Sequence, residues 1–494
     1  MLTRRAVPAA SVVAAHVRSH VRLHVRRHVR FRVFRLLPVA LTAMLLPATI
    51  QSQATASPRP DSILATTLMQ DLVRVARLPG LSVAALDQGR VRFARGAGYR
   101  DLSRRLPVDS STRFGSASVS KVVMATAALR MMQDGRFDPD QPVSAHFPDF
   151  PGAAAITPRL LAAHLGGIPH YGPGSMPSDK RHVWASAALD EFSKARRVGA
   201  PGERSVYSTH GITLLSAVLE QRAKQPILDL LAREVFVPFD MPSSGGLFVD
   251  SLSPRMALLY ARQGDSLRAL PGPRNLSFAW AGAGLLQTPS DLVRMTRAYF
   301  DGQLSAATLS TAFTEQRTNA GVGTGVAFVW RVEQDWRGRP LAHHAGANPG
   351  TRSVLLMRRN EGRSLALMTN VEWTASMDGT ANVLLEALFN SAPRRQALEL
   401  SGRWQGTYDT TAVEGEWVVN GDSGWVSTPE PLRARFLQSG GVGADRLPLR
   451  AIRDDLYAVV TPWGLYPLEV TERDARQAHV LIRLGTQRWT LRSR

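Results

Sequence analysis

Ser118 and Lys121 stand three residues apart in Ser118-Val119-Ser120-Lys121, at the start of a strongly helical stretch. Residues three apart on a helix share a face, so the hydroxyl and the amine can meet. A serine hydroxyl is a poor nucleophile until a base takes its proton, and a buried lysine with a lowered pKa can serve as that base. The helix N-terminus adds a positive partial charge beside the reacting centre. The following residues are apolar nearly all round (Val122, Val123, Met124, Ala127, Ala128, Leu129, Met131 and Met132), as for a helix buried inside a domain. Together these features point to attack by an activated serine on an acyl group, through a covalent acyl-enzyme. Such a four-residue pattern also arises by chance in long chains. Here, however, Lys121 is one of only four lysines, against 56 arginines.

Other chemistries find little support. The chain has no cysteine, which removes thiol catalysis, disulfide scaffolds, zinc–cysteine sites, iron–sulfur clusters and a lipid-bearing cysteine anchor. Neither G-x-S-x-G nor H-E-x-x-H is present, against an α/β-hydrolase elbow and a zinc protease. Gly321-Val322-Gly323-Thr324-Gly325 lacks the spacing of a dinucleotide-binding loop. His164 is expected to hydrogen-bond its own loop, and His343 to face solvent. No metal or organic cofactor is implied.

The elements that must position the serine can be read from periodicity. Residues 61–77 predict an opening helix, and Leu81–Leu86 with Arg90–Ala94 predict a hairpin across Asp87-Gln88-Gly89. A helix over Val119–Gln133 should stop at Asp134-Gly135. A mostly helical middle runs to about residue 300. Strands return at Gly325–Val332, Arg352–Arg358 and Ser364–Thr369, and a closing helix fits Met377–Phe389. Strands at both ends with helices between imply an α+β fold whose sheet is assembled from distant pieces. From Leu398 the runs are short and alternating, with little helix signal. They carry Trp404, Tyr408, Trp417, Trp425, Tyr457, Trp463, Tyr466 and Trp489, expected as core and cross-strand pairs of a small antiparallel β-barrel or sandwich.

The flanks of the serine motif carry more. Arg113-Phe114-Gly115-Ser116-Ala117-Ser118-Val119-Ser120-Lys121, ending in Gln133-Asp134-Gly135-Arg136-Phe137-Asp138-Pro139, resembles the serine β-lactamase/penicillin-binding-protein superfamily. Within it, the chain is most similar to the class C-type branch of D-alanyl-D-alanine carboxypeptidases, esterases and LACTB-like proteins. Further segments agree in order: Pro79-Gly80-Leu81-Ser82-Val83, Ile156–Leu161 with His164–Pro169, Pro201-Gly202-Glu203 leading to Tyr207-Ser208-Thr209, Gly282-Ala283-Gly284-Leu285, and His344-Ala345-Gly346 with Gly350, the last placed before a strand. The resemblance covers about residues 61–392. It implies a β-lactamase/transpeptidase-like fold, an antiparallel sheet flanked by helices with a helical subdomain.

By the same resemblance Ser118 is the nucleophile, and Lys121 holds or takes its proton. Tyr207, a phenol made useful beside a cationic lysine, shuttles the proton to the leaving group. The backbone N–H groups of Ser118 and Ala347 form the oxyanion hole. Thr209, His344, Gly346 and Arg352 are the expected substrate-binding residues. Two departures bear on substrate. Tyr-Ser-Thr replaces the usual Tyr-x-Asn, so one hydroxyl stands where an amide would grip substrate. His-Ala-Gly replaces Lys-Thr-Gly, and a mostly neutral His344 draws a carboxylate less than lysine does. Arg352 is the candidate to supply that charge.

The chain has 494 residues, a 44% hydrophobic and 20% charged composition, and a formal charge of +20. Length alone allows two to four domains at about 100–200 residues each. Nine of the positive charges lie in residues 1–56, which carry no acid. The expected division is a low-complexity His-Val-Arg repeat over 1–35, a signal-peptide-like segment over 36–56, a hydrolase domain over 57–392 and a β domain over 398–494. Leu36–Ile50 is too short for the roughly 20 residues of a bilayer span and ends near the small residues Ala54-Thr55-Ala56. Export with cleavage near Ala56 follows, or membrane anchoring if the segment is uncleaved. A nucleic-acid partner is not expected, since the remaining arginines are spread rather than clustered. The expected activity is hydrolysis of small esters or D-amino-acid peptides. The alternatives are a β-lactamase or D-alanyl-D-alanine carboxypeptidase proper, or a non-catalytic binding or self-assembling module.

Overall fold

The computed structural model describes residues 60–171, 180–263, 266–373, 375–391, 400–408, 411–438, 443–473, 478–484 and 487–493. The His-Val-Arg repeat, the signal-like segment and the junction at 392–399 lie outside them. The central sheet is made of β1 (Gly80–Asp87), β2 (Arg90–Asp101), β3 (Leu106–Pro107), β4 (Arg331–Gln334), β5 (Pro340–Asn348), β6 (Thr351–Arg358) and β7 (Arg363–Thr369). Their spatial order is β3-β2-β1-β7-β6-β5-β4, antiparallel throughout. β1 therefore joins the first hairpin to strands almost three hundred residues later, as Leu81 pairs with Thr369 and Asp87 with Arg363.

Four helices matter for the site and its support: α1 (Pro60–Val75), α2 (Ser120–Gln133), α3 (Thr209–Ala223) and α4 (Met377–Phe389). Side chains alternate across a strand, and here both faces are covered. Leu81, Val83, Ala85, Val354, Leu356, Leu365 and Leu367 share a core with α1 and α4. Their neighbours Ala84, Leu86, Leu355, Met357, Ala366 and Met368 share another with α2 and α3. The inner strands accordingly read as unbroken apolar runs.

Three expectations need correction. Of Gly325–Val332, only Arg331 and Val332 belong to a strand. Residues 326–330 are buried without a ladder, with Val329 in the left-handed region at φ +73° and its N–H given to the Ala162 carbonyl. A short buried apolar run has no periodicity that separates strand from loop. His344-Ala345-Gly346 lies within β5 rather than before a strand. The helix read as Val119–Gln133 begins at Ser120, preceded by a 3₁₀ turn over Ala117–Val119.

Residues 400–493 form an eight-stranded antiparallel barrel, closed where Leu400–Tyr408 pairs with Gln487–Ser493. Trp404, Trp417, Tyr457 and Tyr466 fill its core, and Trp425 is covered by the Arg446 guanidinium. The side chains of Tyr408 and Trp489 lie outside what is described. A helix over Glu430–Gln438 was not expected there. Only its Leu432 and Phe436 are buried, too few apolar positions to mark a helix in sequence. Phe436 meets the Trp463 ring edge-on at 4.6 Å between centroids. The barrel packs on α1 and α4, with Ile452, Leu456, Ala458, Val460 and Leu465 in one cluster with Leu68, Leu72, Leu384 and Leu388. Arg450 to Asp71 (2.8 Å), Leu465 N–H to Thr380 Oγ1 (3.1 Å) and Trp373 Nε1 to the Pro462 carbonyl (2.8 Å) fix the seam.

Candidate active site

Ser118 lies in the 3₁₀ turn, and from 116 to 120 it is the one residue not buried. Ala117 just before it has φ +47°, a left-handed conformation that costs a side-chain-bearing residue about 1–3 kcal/mol and persists only under firm support. That support comes from Ser116. Its N–H donates to the Leu285 carbonyl (2.8 Å), its Oγ to Gln287 Oε1 (2.6 Å), and its carbonyl accepts from Ser353 Oγ (2.6 Å). In a 3₁₀ turn side chains at i and i+3 eclipse. Lys121 Nζ accordingly donates to Ser118 Oγ at 3.0 Å.

The Lys121 side chain is fully buried. Its other two donations go to Thr209 Oγ1 (3.0 Å) and the Gly282 carbonyl (2.6 Å), three acceptors for the three hydrogens of an ammonium. Burial draws the lysine below its ordinary pKa, while Tyr207 beside it works the other way. The Tyr207 hydroxyl donates to Ser118 Oγ at 2.7 Å, and its ring centroid is 4.9 Å from Lys121 Nζ. The neighbouring Ser208 holds Tyr207 in place. Its Oγ caps α3 by accepting from Gly211 N–H (2.8 Å) and donates to the Pro169 carbonyl (2.9 Å). The rings of His164 and His170 lie 4.5 and 5.4 Å from the phenol ring. Ser118, Lys121 and Tyr207 thus meet from two segments 86 residues apart at their nearest, with Ser118 Oγ in direct contact with both partners.

The expected substrate-binding residues divide. His344, Gly346, Ala347 and Arg352 line a cleft of about 390 Å³ together with Ser118 and Tyr207. Thr209 does not line it. It is buried, and its hydroxyl is a partner of Lys121. His344 is buried with Nδ1 2.8 Å from the Ala345 carbonyl. A carbonyl only accepts, so Nδ1 carries the hydrogen and Nε2 is left as an acceptor. Burial and the Lys121 charge push its pKa well below the usual value, so His344 offers no cation to a carboxylate. Arg352 is half-buried and donates through Nε to the Trp373 carbonyl (2.7 Å), which ties it to the residue that also bonds the barrel.

Gly346 fills its place for steric reasons. A Cβ there would lie 2.4 Å from Ser353 Oγ, 2.7 Å from the Ser116 carbonyl oxygen and 2.9 Å from Ser118 N. Gly346→Ala should push the Ser118 turn off β5. A displacement near 1 Å costs about a hundredfold in rate, and the expected result is a loss of that order in kcat/KM, checked by steady-state kinetics with circular dichroism to show that the fold persists.

Sequence alone missed His170, Tyr171, Arg331 and Asp378, which also line the cleft. His343, expected to face solvent, is buried, lines the same cleft and pairs through Nε2 with Glu333 (3.0 Å). Its register partner on β4 is Arg331. His164 and His170 do similar work: their Nδ1 atoms accept the N–H groups of Ser208 (3.4 Å) and Thr209 (3.2 Å), the start of α3. Burial and the Lys121 charge bring His164 to about 3 and His170 to about 4.

A folded-state value below the unfolded one, about 6.5 for histidine, means that protons favour the unfolded chain. The stability from His164 is complete above about pH 6.5 and drains as pH falls toward 3. By pH 4.5 the loss is about 2–3 kcal/mol for this buried ring. Urea unfolding at pH 7 and 4.5 should show a smaller fall for His164→Gln than for wild type. Equal falls would remove His164 from the acid response.

The family model described as Beta-lactamase matches residues 65–389, about two thirds of the chain. The chain belongs to the beta-lactamase family. Among curated relatives of this beta-lactamase-family chain, the mouse protein named serine beta-lactamase-like protein LACTB, mitochondrial, is 24% identical over 396 residues, covering 59% of this chain and 72% of the mouse protein. Against human LACTB the match spans about half of that protein (54%). Among solved structures, D-amino acid amidase from Ochrobactrum anthropi SV3 superposes with a TM-score of 0.58 at 23% identity, over 66% of this chain and 98% of the amidase. An octameric penicillin-binding protein homologue from Pyrococcus abyssi gives a TM-score of 0.55 at 19% identity, over 87% of this chain and 99% of that one. The 87% share is too large for residues 60–391 alone and takes in part of the barrel. Among the described residues no helix is long and apolar enough to cross a membrane, and no group of histidines and carboxylates gathers as a metal set.

Proposed function

We propose that this chain is an exported serine hydrolase that forms an acyl-enzyme on Ser118 and acts on small esters or short D-amino-acid amides and peptides. One observation carries the proposal: Ser118 Oγ is 3.0 Å from Lys121 Nζ and 2.7 Å from the Tyr207 oxygen, at the wall of an open cleft. With all three hydrogens of a charged Lys121 committed, the Tyr207 oxygen is the group left within reach of the serine proton. With substrate in the cleft the Tyr207 O–H turns to the leaving group, and as Ser118 Oγ bonds to the acyl carbon the serine proton passes to the Tyr207 oxygen while the phenol's own proton moves toward the leaving group, so the phenol never carries two protons, and the Lys121 charge stabilises the change. The carbonyl oxygen gains a negative charge, met by the N–H groups of Ser118 and Ala347. The bond to the leaving group then breaks, and the leaving group takes the proton from Tyr207. Water repeats the sequence in reverse order and frees the acid.

The substrate class follows from what the cleft offers. A neutral His344 and a Thr209 turned toward Lys121 leave these two positions without the lysine cation and the amide of the usual Lys-Thr-Gly and Tyr-x-Asn elements, which argues for esters and D-amino-acid amides over β-lactams. The amidase superposition is in keeping with this. Export rests on Arg30, Arg32 and Arg35 before the apolar Leu36–Ile50 segment.

The test is a substrate panel of p-nitrophenyl esters, D-alanyl peptides and nitrocefin, with wild type and Ser118→Ala. The expected result is ester or D-peptide turnover that Ser118→Ala lowers by at least about 10³-fold, with nitrocefin the poorest substrate. Equal turnover by the two proteins would overturn the proposal.

A further inference from the structure

Beside the polar cleft lies a second cavity, of about 270 Å³, that the proposed chemistry does not use. Its walls include Leu247, Met256, Leu259, Leu270 and Leu276. Three features place it at the reaction centre. Tyr171 lines both spaces, Gly115 lies three residues before Ser118, and Asn348 comes directly after Ala347. Two of its polar wall groups are already engaged. Thr351 Oγ1 donates toward the Gly115 (3.1 Å) and Thr369 (3.0 Å) carbonyls, and Asn348 Nδ2 donates to the Ala283 carbonyl (3.3 Å). Arg274, exposed, stands in its lining. What this space presents to a ligand is mostly hydrocarbon.

Gly115 gives independent support. Its backbone is not left-handed, and a Cβ there would meet only Leu247 Cδ2 at 3.6 Å and Thr351 Cγ2 at 3.8 Å, ordinary contacts. Neither backbone conformation nor close packing requires glycine. A larger side chain at 115 would instead occupy the cavity.

We infer that this cavity receives the acyl chain of the substrate, and that the protein prefers medium-length, unbranched or singly ringed apolar acyl groups over acetyl. The assignment to the acyl side follows from the proton path and so rests on the proposed function. Tyr207 must reach the leaving group and lines the polar cleft, not this cavity. The other half of the substrate, beyond the Ser118 and Ala347 N–H groups, is therefore left for the apolar side. Each buried methylene contributes about 0.8 kcal/mol, close to a fourfold change per carbon.

The experiment uses p-nitrophenyl acetate, butyrate, hexanoate and octanoate with the full chain. The expected result is kcat/KM rising about fourfold per methylene to a plateau where the cavity is full. Gly115→Leu, which fills the space, should lower the octanoate-to-acetate ratio at least tenfold, and Met256→Ala should move the plateau to a longer chain. Binding of the same esters to Ser118→Ala by calorimetry supplies a readout that needs no turnover. A flat chain-length profile with active enzyme overturns the acyl pocket and leaves the hydrolase proposal standing. No turnover of any ester, with chain-length-dependent binding retained, sinks the hydrolase proposal and supports the pocket. Binding that ignores chain length, or a Gly115→Leu ratio equal to wild type, overturns it.

Discussion

Lys121→Met lowers kcat/KM by at least about 10³-fold while the melting temperature moves by no more than a few degrees. The two results together are the point. A buried ammonium carries a desolvation penalty of several kcal/mol, set here against hydrogen bonds to Ser118 Oγ, Thr209 Oγ1 and the Gly282 carbonyl. Methionine, of similar length and apolar, removes the penalty and leaves two buried acceptors unpaired, at about 1–3 kcal/mol each. The opposing terms are of one size, so stability is nearly conserved. A lysine kept for packing would behave differently: activity and stability would fall together. Thermal melts beside steady-state kinetics separate the outcomes, and a variant that unfolds early would reassign Lys121 to structure.

Tyr207→Phe is expected to cost about 10²–10⁴-fold, the range for a lost general acid–base group. The ring stays in place between His164 and His170, so α3 and its Ser208 cap are undisturbed, and only the hydroxyl 2.7 Å from Ser118 Oγ is lost. The loss should depend on the leaving group. A p-nitrophenolate departs without a proton, whereas an alkoxide or amine needs one. Phenylalanine at 207 should therefore hurt methyl esters and amides more than p-nitrophenyl esters. Activity within tenfold of wild type on both classes would take Tyr207 off the proton path.

How much of this was legible depended on distance along the chain. Ser118 and Lys121 form a local pair, and the all-apolar helix behind them could be read directly. The closing helix is Met377–Phe389 in both sequence and structure, because Ser376 and Asn390 bound a long apolar period. Tyr207 has no local signature of its own. Its place came from flanking Pro201-Gly202 and Ser208-Thr209, and its hydroxyl lies 2.7 Å from Ser118 Oγ. The residues that went unseen are those whose roles are set by partners far away. The Gly282 carbonyl meets Lys121 across 161 positions, His170 reaches the start of α3 across 39, and His343 and Arg331 are joined only by sheet register. Thr209 was read as facing substrate because type and order do not reveal which way a hydroxyl at a helix start will turn.

The central claim is that Ser118 itself is acylated. Incubating the full chain with a fluorophosphonate or a slowly released ester, then measuring intact mass and mapping the adduct by peptide sequencing, tests it without a known natural substrate. The account predicts one adduct per chain, on the peptide containing Ser118, strongly slowed in Lys121→Met and absent in Ser118→Ala. An adduct on another residue, or equal labelling of Ser118→Ala and wild type, would contradict it.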